Sequence, residues 1–140
     1  MKLRGLFLAI GLVLLWAVPL QAEPTLTPSQ VVFQWLQWYP KDLPQAATLT
    51  NTVLRKGLSQ TQWVEKNAPL LKDLQFKYLE GKVLEETSDE ITATVTVLVR
   101  LYLVIGEVKQ VERYTLKLVA GHWLIDGQEI KEDHVIGRTI

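Results

Sequence analysis

From residue 91 to residue 105, apolar side chains fall on every odd position: Ile91, Ala93, Val95, Val97, Val99, Leu101, Leu103 and Ile105. The even positions carry Thr92, Thr94, Thr96, Leu98, Arg100, Tyr102 and Val104. A period of two over this length predicts a long strand with one dry face and one mixed face. Gly106-Glu107 then reads as a two-residue hairpin turn that pairs Ile105 with Val108. In that register Leu103 faces Gln110, Leu101 faces Glu112, Val99 faces Tyr114 and Val97 faces Leu116. A slip by one residue would set the dry side of one strand against the polar side of the next, so the pattern fixes which faces match. Ala120-Gly121-His122 makes the next turn. A fourth strand follows to about Ile130, with Trp123 and Ile125 on the side of Leu118. Upstream, 76–86 reads as the first strand, and Thr87-Ser88-Asp89-Glu90 as an acidic turn. The segment 131–140 is charged, and is expected to fray or to add an edge strand.

The residues before 76 follow a helical period. Thr27-Pro28-Ser29-Gln30 is a capping box with proline at the first helical position. Val32, Trp35, Leu36 and Tyr39 then recur at i, i+3, i+4 and i+7, a single stripe, and Pro40 ends the helix. Phe33 and Trp38 lie off that stripe, so the helix is aromatic on more than one side. This suits deep burial, or a helix lining a pocket. Pro44 opens a second helical stretch to about Lys56, closed by Gly57. Ser59-Gln60-Thr61-Gln62 is another capping box, starting a short helix that carries Trp63 and Val64 and closes before Pro69. Helices first and hairpin-linked strands after them predict an α+β fold, with N-terminal helices packed on a curved antiparallel meander sheet.

The first residues follow neither pattern. Lys2 and Arg4 precede an apolar run over 6–20 and a small residue at Ala22, the layout of a secretory signal peptide. The run is shorter than the roughly 20 residues that span a bilayer as a helix. Cleavage after Ala22 is expected; an uncleaved membrane anchor is the alternative. Both place the domain across the membrane, periplasmic or secreted. The division is then 1–22 signal peptide, 23–130 folded domain and 131–140 charged tail.

Charge and cysteine content narrow the chemistry. The chain of 140 residues has 15 basic and 15 acidic residues and no cysteine. Loss of Lys2 and Arg4 would leave a slight acidic excess, which gives no general attraction to nucleic acid. Disulfides, thiolate metal sites, cysteine nucleophiles and a lipid-modified N-terminal cysteine are excluded. Only two histidines, His122 and His134, are present. Neither has the converging ligands a metal needs, so no metal and no cofactor is expected. There is no nucleophile elbow and no phosphate-cradling glycine loop.

TPSQVVFQWLQWY at 27–39, ITATVTVLVRLYLV at 91–104 and LVAGHWLIDG at 118–127 carry a resemblance to the NTF2-like superfamily, the cystatin-like or ketosteroid-isomerase-like fold. Its Gly-x-Trp-x-Ile ending is matched by Gly121, Trp123 and Ile125. The layout over 27–130 is similar to exported bacterial domains of the DUF4878 kind, and more weakly to the terminal domain of cyanobacterial and plastid division-ring anchors. The resemblance implies a sheet curled round its helices into a cone. Some members bind or transform small hydrophobic molecules there, and others interact through the outer sheet face. The aspartate base and donor set of ketosteroid-isomerase-like enzymes cannot be placed here.

Two constellations follow from the predicted faces. Gln110, Glu112 and Tyr114 interrupt the otherwise aliphatic inner side. A carboxylate against Leu101 would be a candidate general base, with Tyr114, Tyr78 or Tyr39 as donors to an oxyanion. The alternative is that Glu112 reaches water at the sheet rim. Trp35, Tyr39, Tyr78, Gln110, Glu112 and Tyr114 are thus the candidate ligand-binding set. On the outer face Arg100 and Arg113 would stand opposite one another, with Leu98, Tyr102 and Val111 around them, an amphipathic surface suited to a homodimer or a protein partner. The expected function is a non-catalytic exported domain that binds a small apolar ligand in its cone or a protein on its outer sheet. The alternative is an isomerase- or hydratase-like enzyme with Glu112 as base.

Overall fold

A computed structural model of the chain describes residues 25–136. The signal peptide expected over 1–22 lies outside these residues. Three helices, α1 (Pro28–Trp38), α2 (Leu43–Ala47) and α3 (Gln60–Leu74), precede four strands, β1 (Lys77–Ser88), β2 (Thr92–Leu103), β3 (Gly106–Val119) and β4 (His122–Ile136). The strands form one antiparallel sheet in the order β1-β2-β3-β4. The fold is α+β, with helices packed on a curved sheet. Among the described residues no helix is long and apolar enough to cross a membrane.

The odd positions of β2 are the core. Ala93, Val95, Val97, Val99 and Leu101 are all buried, and the even positions between them are half-buried. They meet Val31, Val32 and Trp35 of α1, Leu43, Ala46 and Ala47 of α2, and Tyr114, Leu116 and Ile125 from β3 and β4. Gly81 is where α1 presses closest on the sheet. A Cβ there would lie 2.7 Å from Leu36 Cδ1, with Val97 and Val99 behind it. The capping boxes are formed as the sequence predicts. Thr27 accepts from Gln30 N and Ser59 from Gln62 N, and each glutamine returns a bond to its cap.

The hairpin register differs from the expected one. Leu103 pairs with Gly106, so Val104 and Ile105 make the turn and Ile105 does not pair with Val108. Leu101 faces Val108, Val99 faces Gln110, Val97 faces Glu112 and Val95 faces Tyr114. The change is an even step, so every side chain keeps its face. Alternation alone cannot separate registers that differ in this way. The observed one sets Arg100 against Lys109 and Arg113 against Thr96, so the two arginines are not opposed. It also brings Arg100 between two carboxylates, Glu80 and Glu107.

The other corrections concern length. The second helix ends at Ala47 instead of about Lys56, because the chain after it is used otherwise. Thr50 forms a parallel bridge to Ile125, and Asn51 Oδ1 accepts from Val53 N and Leu54 N. A side chain that bonds its own backbone in this way competes with helix. The third helix runs through Pro69 to Leu74. Pro69 lies on an exposed side, where solvent can satisfy the carbonyl that the ring leaves without a donor. Residues 131–136 continue β4 as an edge strand as far as the pairing of Ile136 with Glu107; the rest of the expected tail, 137–140, lies outside the described residues.

Candidate functional site

The concave side of the sheet carries a buried polar cluster. Glu112 is 1% exposed, between Val97 and Ile130 in its row of the sheet. Its carboxylate does not reach water at the rim. Tyr78 Oη donates to it at 2.9 Å from Oε1 and 3.1 Å from Oε2, Gln128 Nε2 donates to Oε1 at 3.1 Å, and Tyr114 Oη and Gln110 Nε2 donate as well. A carboxylate has about four lone-pair positions, and four donor side chains meet them here. The pairing of β2 with β3 sets Glu112 at the middle of the sheet, two residues from Gln110 on one side and from Tyr114 on the other. β1 supplies Tyr78 and β4 supplies Gln128.

The tyrosines record this environment. Burial, with the Glu112 charge adding to it, pushes the Tyr39 phenol up to about 12. Burial is also the largest cause for Tyr78 and Tyr114, both held well above the ordinary phenol value; the nearby Glu112 carboxylate acts in the same direction on each.

Next to the cluster the aromatic residues of the helices are layered. Trp35 and Tyr39 stack with ring centroids 4.5 Å apart and planes 17° from parallel. Trp63 of α3 lies 6.0 Å from Trp35 and 6.3 Å from Tyr39. Phe76 meets Tyr39 and Tyr78 edge-on. A solvent-open cleft of about 530 Å³ is lined by Trp35, Tyr39 and Trp63, by the loop 53–58, and by Asp126, Gly127 and Gln128 of β4. That size falls within the roughly 300–1,000 Å³ of small-ligand sites. Gln128 borders the cleft and bonds Glu112, so it connects the two. On the other side of Tyr39, a second cleft of about 310 Å³ is lined by Phe33, Leu36, Tyr78 and Gly81 among others.

The loop wall is held by a second set of bonds. Asn51 Nδ2 donates to Asp126 Oδ1 at 2.6 Å. Arg55, only 8% exposed, donates from Nε to the Leu58 carbonyl and from Nη1 to the carbonyl and hydroxyl oxygens of Thr50. Trp35 Nε1 is buried and has no hydrogen-bond partner among the described residues.

The structure therefore brings Tyr78, Gln110, Glu112 and Tyr114 into one cluster, with Trp35 and Tyr39 beside it in the cleft wall. Three residues of the site were not picked out from the sequence. Gln128 lies beyond a register shift in β4, where alternation no longer reports its face. Arg55 falls in what the sequence reads as a helix end, and Trp63 reads there only as carried by the short third helix. Asp126 also lines the cleft.

The outer-face set is differently placed. Leu98 and Val111 are paired neighbours, and Tyr102 has the Lys77 ammonium 5.7 Å from its ring centre. Arg100 bonds Glu80 at 3.1 Å and Glu107 at 2.9 Å, and Arg113 is ion-paired with Glu129. The expected opposition of Arg100 and Arg113 is not found; Arg100 stands opposite Lys109 and Arg113 opposite Thr96.

No protein-family model matches the chain, and no curated protein matches it in sequence. Solved structures do match in fold. A structure of Bdellovibrio bacteriovorus Bd1075 aligns with a TM-score of 0.56 and 16% identity over 73% of this chain. This chain spans 38% of the Bd1075 chain. RPA3114, a SEC-C motif containing protein from Rhodopseudomonas palustris, aligns with a TM-score of 0.58 and 18% identity, covering 81% of this chain and 88% of its own. At these identities the likeness is one of fold.

Proposed function

We propose that this chain is an exported, non-catalytic domain of NTF2-like type that binds a small, largely apolar molecule in the cleft between its helices and β4. The observation that carries the reading is the cleft itself. It is open to solvent, of ligand size, floored by Trp35, Tyr39 and Trp63, and rimmed by a few polar groups. Export rests on the residue pattern at 1–22, and the NTF2-like assignment on the segments quoted above together with the α+β arrangement.

The environment of Glu112 weighs against the enzyme alternative. A general base needs an acceptor position turned toward its substrate. The positions of this carboxylate are taken by Tyr78, Tyr114, Gln110 and Gln128. Substrate could reach it only after one of them moved. The cluster therefore serves as a fixed polar support that holds Gln128 at the cleft wall. Partner binding on the outer sheet has less support than the cleft, since Arg100 and Arg113 already have carboxylate partners within the chain.

The test is a binding screen with ring-bearing small molecules, read by tryptophan fluorescence. Val53 lines the cleft and is 64% exposed, so Val53→Trp narrows the opening without touching the core. The reading predicts saturable quenching that this variant weakens by about tenfold, a loss of about 1.4 kcal/mol, with an unchanged melting temperature. Quenching that is indifferent to Val53→Trp, or no binding by any compound, would reject it.

A further inference from the structure

Arg55 is a buried cation without a counter-charge. The residue is 8% exposed, and its hydrogen bonds go to three neutral oxygens of Thr50 and Leu58. Among the described residues it makes no ion pair, whereas the surface arginines Arg100 and Arg113 both do. Those three bonds use Nε–H and Nη1, and leave the two hydrogens on Nη2. Arg55 also lines the cleft, where Lys56 and Lys66 add two more positive charges. Asp126 is the acidic residue of the lining, and one of its oxygens is engaged by Asn51. A charge taken out of water is costly unless it is paired. The same cleft is lined by Trp35 and Tyr39, which stack on each other, and by Trp63; Trp35 and Trp63 are buried and Tyr39 is half-buried. A planar group can lie against such an aromatic wall.

We infer that the cleft selects a ring-bearing organic carboxylate, its ring against Trp35, Tyr39 and Trp63 and its carboxylate on Arg55 Nη2. This rests on the cleft being the binding site proposed above, and goes beyond it by assigning a charge to the ligand. Arg55 then has two tasks. Nε and Nη1 hold the loop in place, and Nη2 reads the ligand. Lys56 and Lys66, on the rim, contribute through the long-range field and through screening-sensitive attraction.

The probes are 2-naphthoate and its neutral isostere 2-naphthamide, titrated calorimetrically into the protein. The inference predicts that the carboxylate binds about tenfold or more tightly than the amide, since both accept from the guanidinium but only the carboxylate brings the opposite charge. The preference should shrink at about 1 M salt, where the Debye length is about 3 Å. Lys66→Gln, an exposed substitution on α3, should reduce the preference by about two- to threefold and leave the fold intact. Arg55→Gln removes loop bonds as well as charge, so the role of Arg55 is read in the native protein instead. Its Nε–H resonance should shift with naphthoate and stay still with naphthamide. Equal affinities for the two probes would overturn the inference and leave the binding reading standing. A preference for naphthoate with a motionless Arg55 signal would overturn the assignment to Arg55. Binding of neither probe would remove this inference, and would count against the binding reading as well.

Discussion

At the scale of single residues, Glu112 shows how a charged side chain can be part of a core. Four neutral donors converge on it, so its removal leaves four unpaired polar groups and not just one. Glu112→Gln is close in shape, but turns an amide nitrogen toward donors. It should cost about 1–3 kcal/mol, the penalty for unsatisfied buried polar groups, measured by urea unfolding. A change below about 0.5 kcal/mol, the range of ordinary surface substitutions, would show that the cluster is not holding the sheet. Tyr78→Phe removes only one donor, and should cost about 1 kcal/mol, the net worth of a typical hydrogen bond. The presence of Glu112 on the apolar side of β3 was legible in the alternation of the sequence. Its partners were only half legible. Gln110 and Tyr114 share its strand at a spacing of two, but Tyr78 and Gln128 reach it from other strands, across register shifts that local periodicity does not encode.

At the scale of elements, local signals and long-range pairing divide the work. The capping boxes at Thr27 and Ser59 are local chemistry and formed as read; Ser59→Ala should cost about 1 kcal/mol of stability, the usual value of such a cap. The end of α2 was misread because Thr50 and Asn51 answer to β4, far away in sequence. The β2-β3 turn was misplaced because the glycine that marks it, Gly106, follows the turn and opens β3. The close approach of α1 to β1 gives a sharper test. Gly81→Ala places a Cβ against the terminal methyl of Leu36, which must shift, and should cost about 1 kcal/mol, the low end of overpacking. The same change in a Leu36→Ala background should cost much less, since the atom it meets is gone. Equal costs in the two backgrounds would mean that Gly81 is set by something other than this contact.

At the scale of the whole molecule, the two sides of the sheet have different characters. The outer side mixes threonines and ion pairs with the half-buried Leu98, Tyr102 and Val111. The inner side combines an aliphatic core, a buried carboxylate cluster and an aromatic cleft. One consequence is an alkaline limit to stability. An unfolded tyrosine titrates near 10, and Tyr39 in the fold near 12. Between those values the unfolded chain releases a proton that the fold retains. Its contribution is therefore fully present below about pH 10, and is lost as pH rises toward 12. Tyr78 and Tyr114 shift in the same direction and deepen the loss. Unfolding free energies measured across this window should fall steadily; a flat profile would contradict the buried cluster.

The most direct test of the whole account is to find which side of the sheet a ligand touches. In a two-dimensional nitrogen–proton spectrum titrated with 2-naphthoate, the account predicts progressive shifts of the Trp63 indole and of the Gln128 and Asn67 side-chain amides, which border the cleft. The backbone signals of Leu98 and Val111, on the opposite face, should stay in place. Shifts centred on Leu98 and Val111, with the cleft signals unmoved, would contradict it.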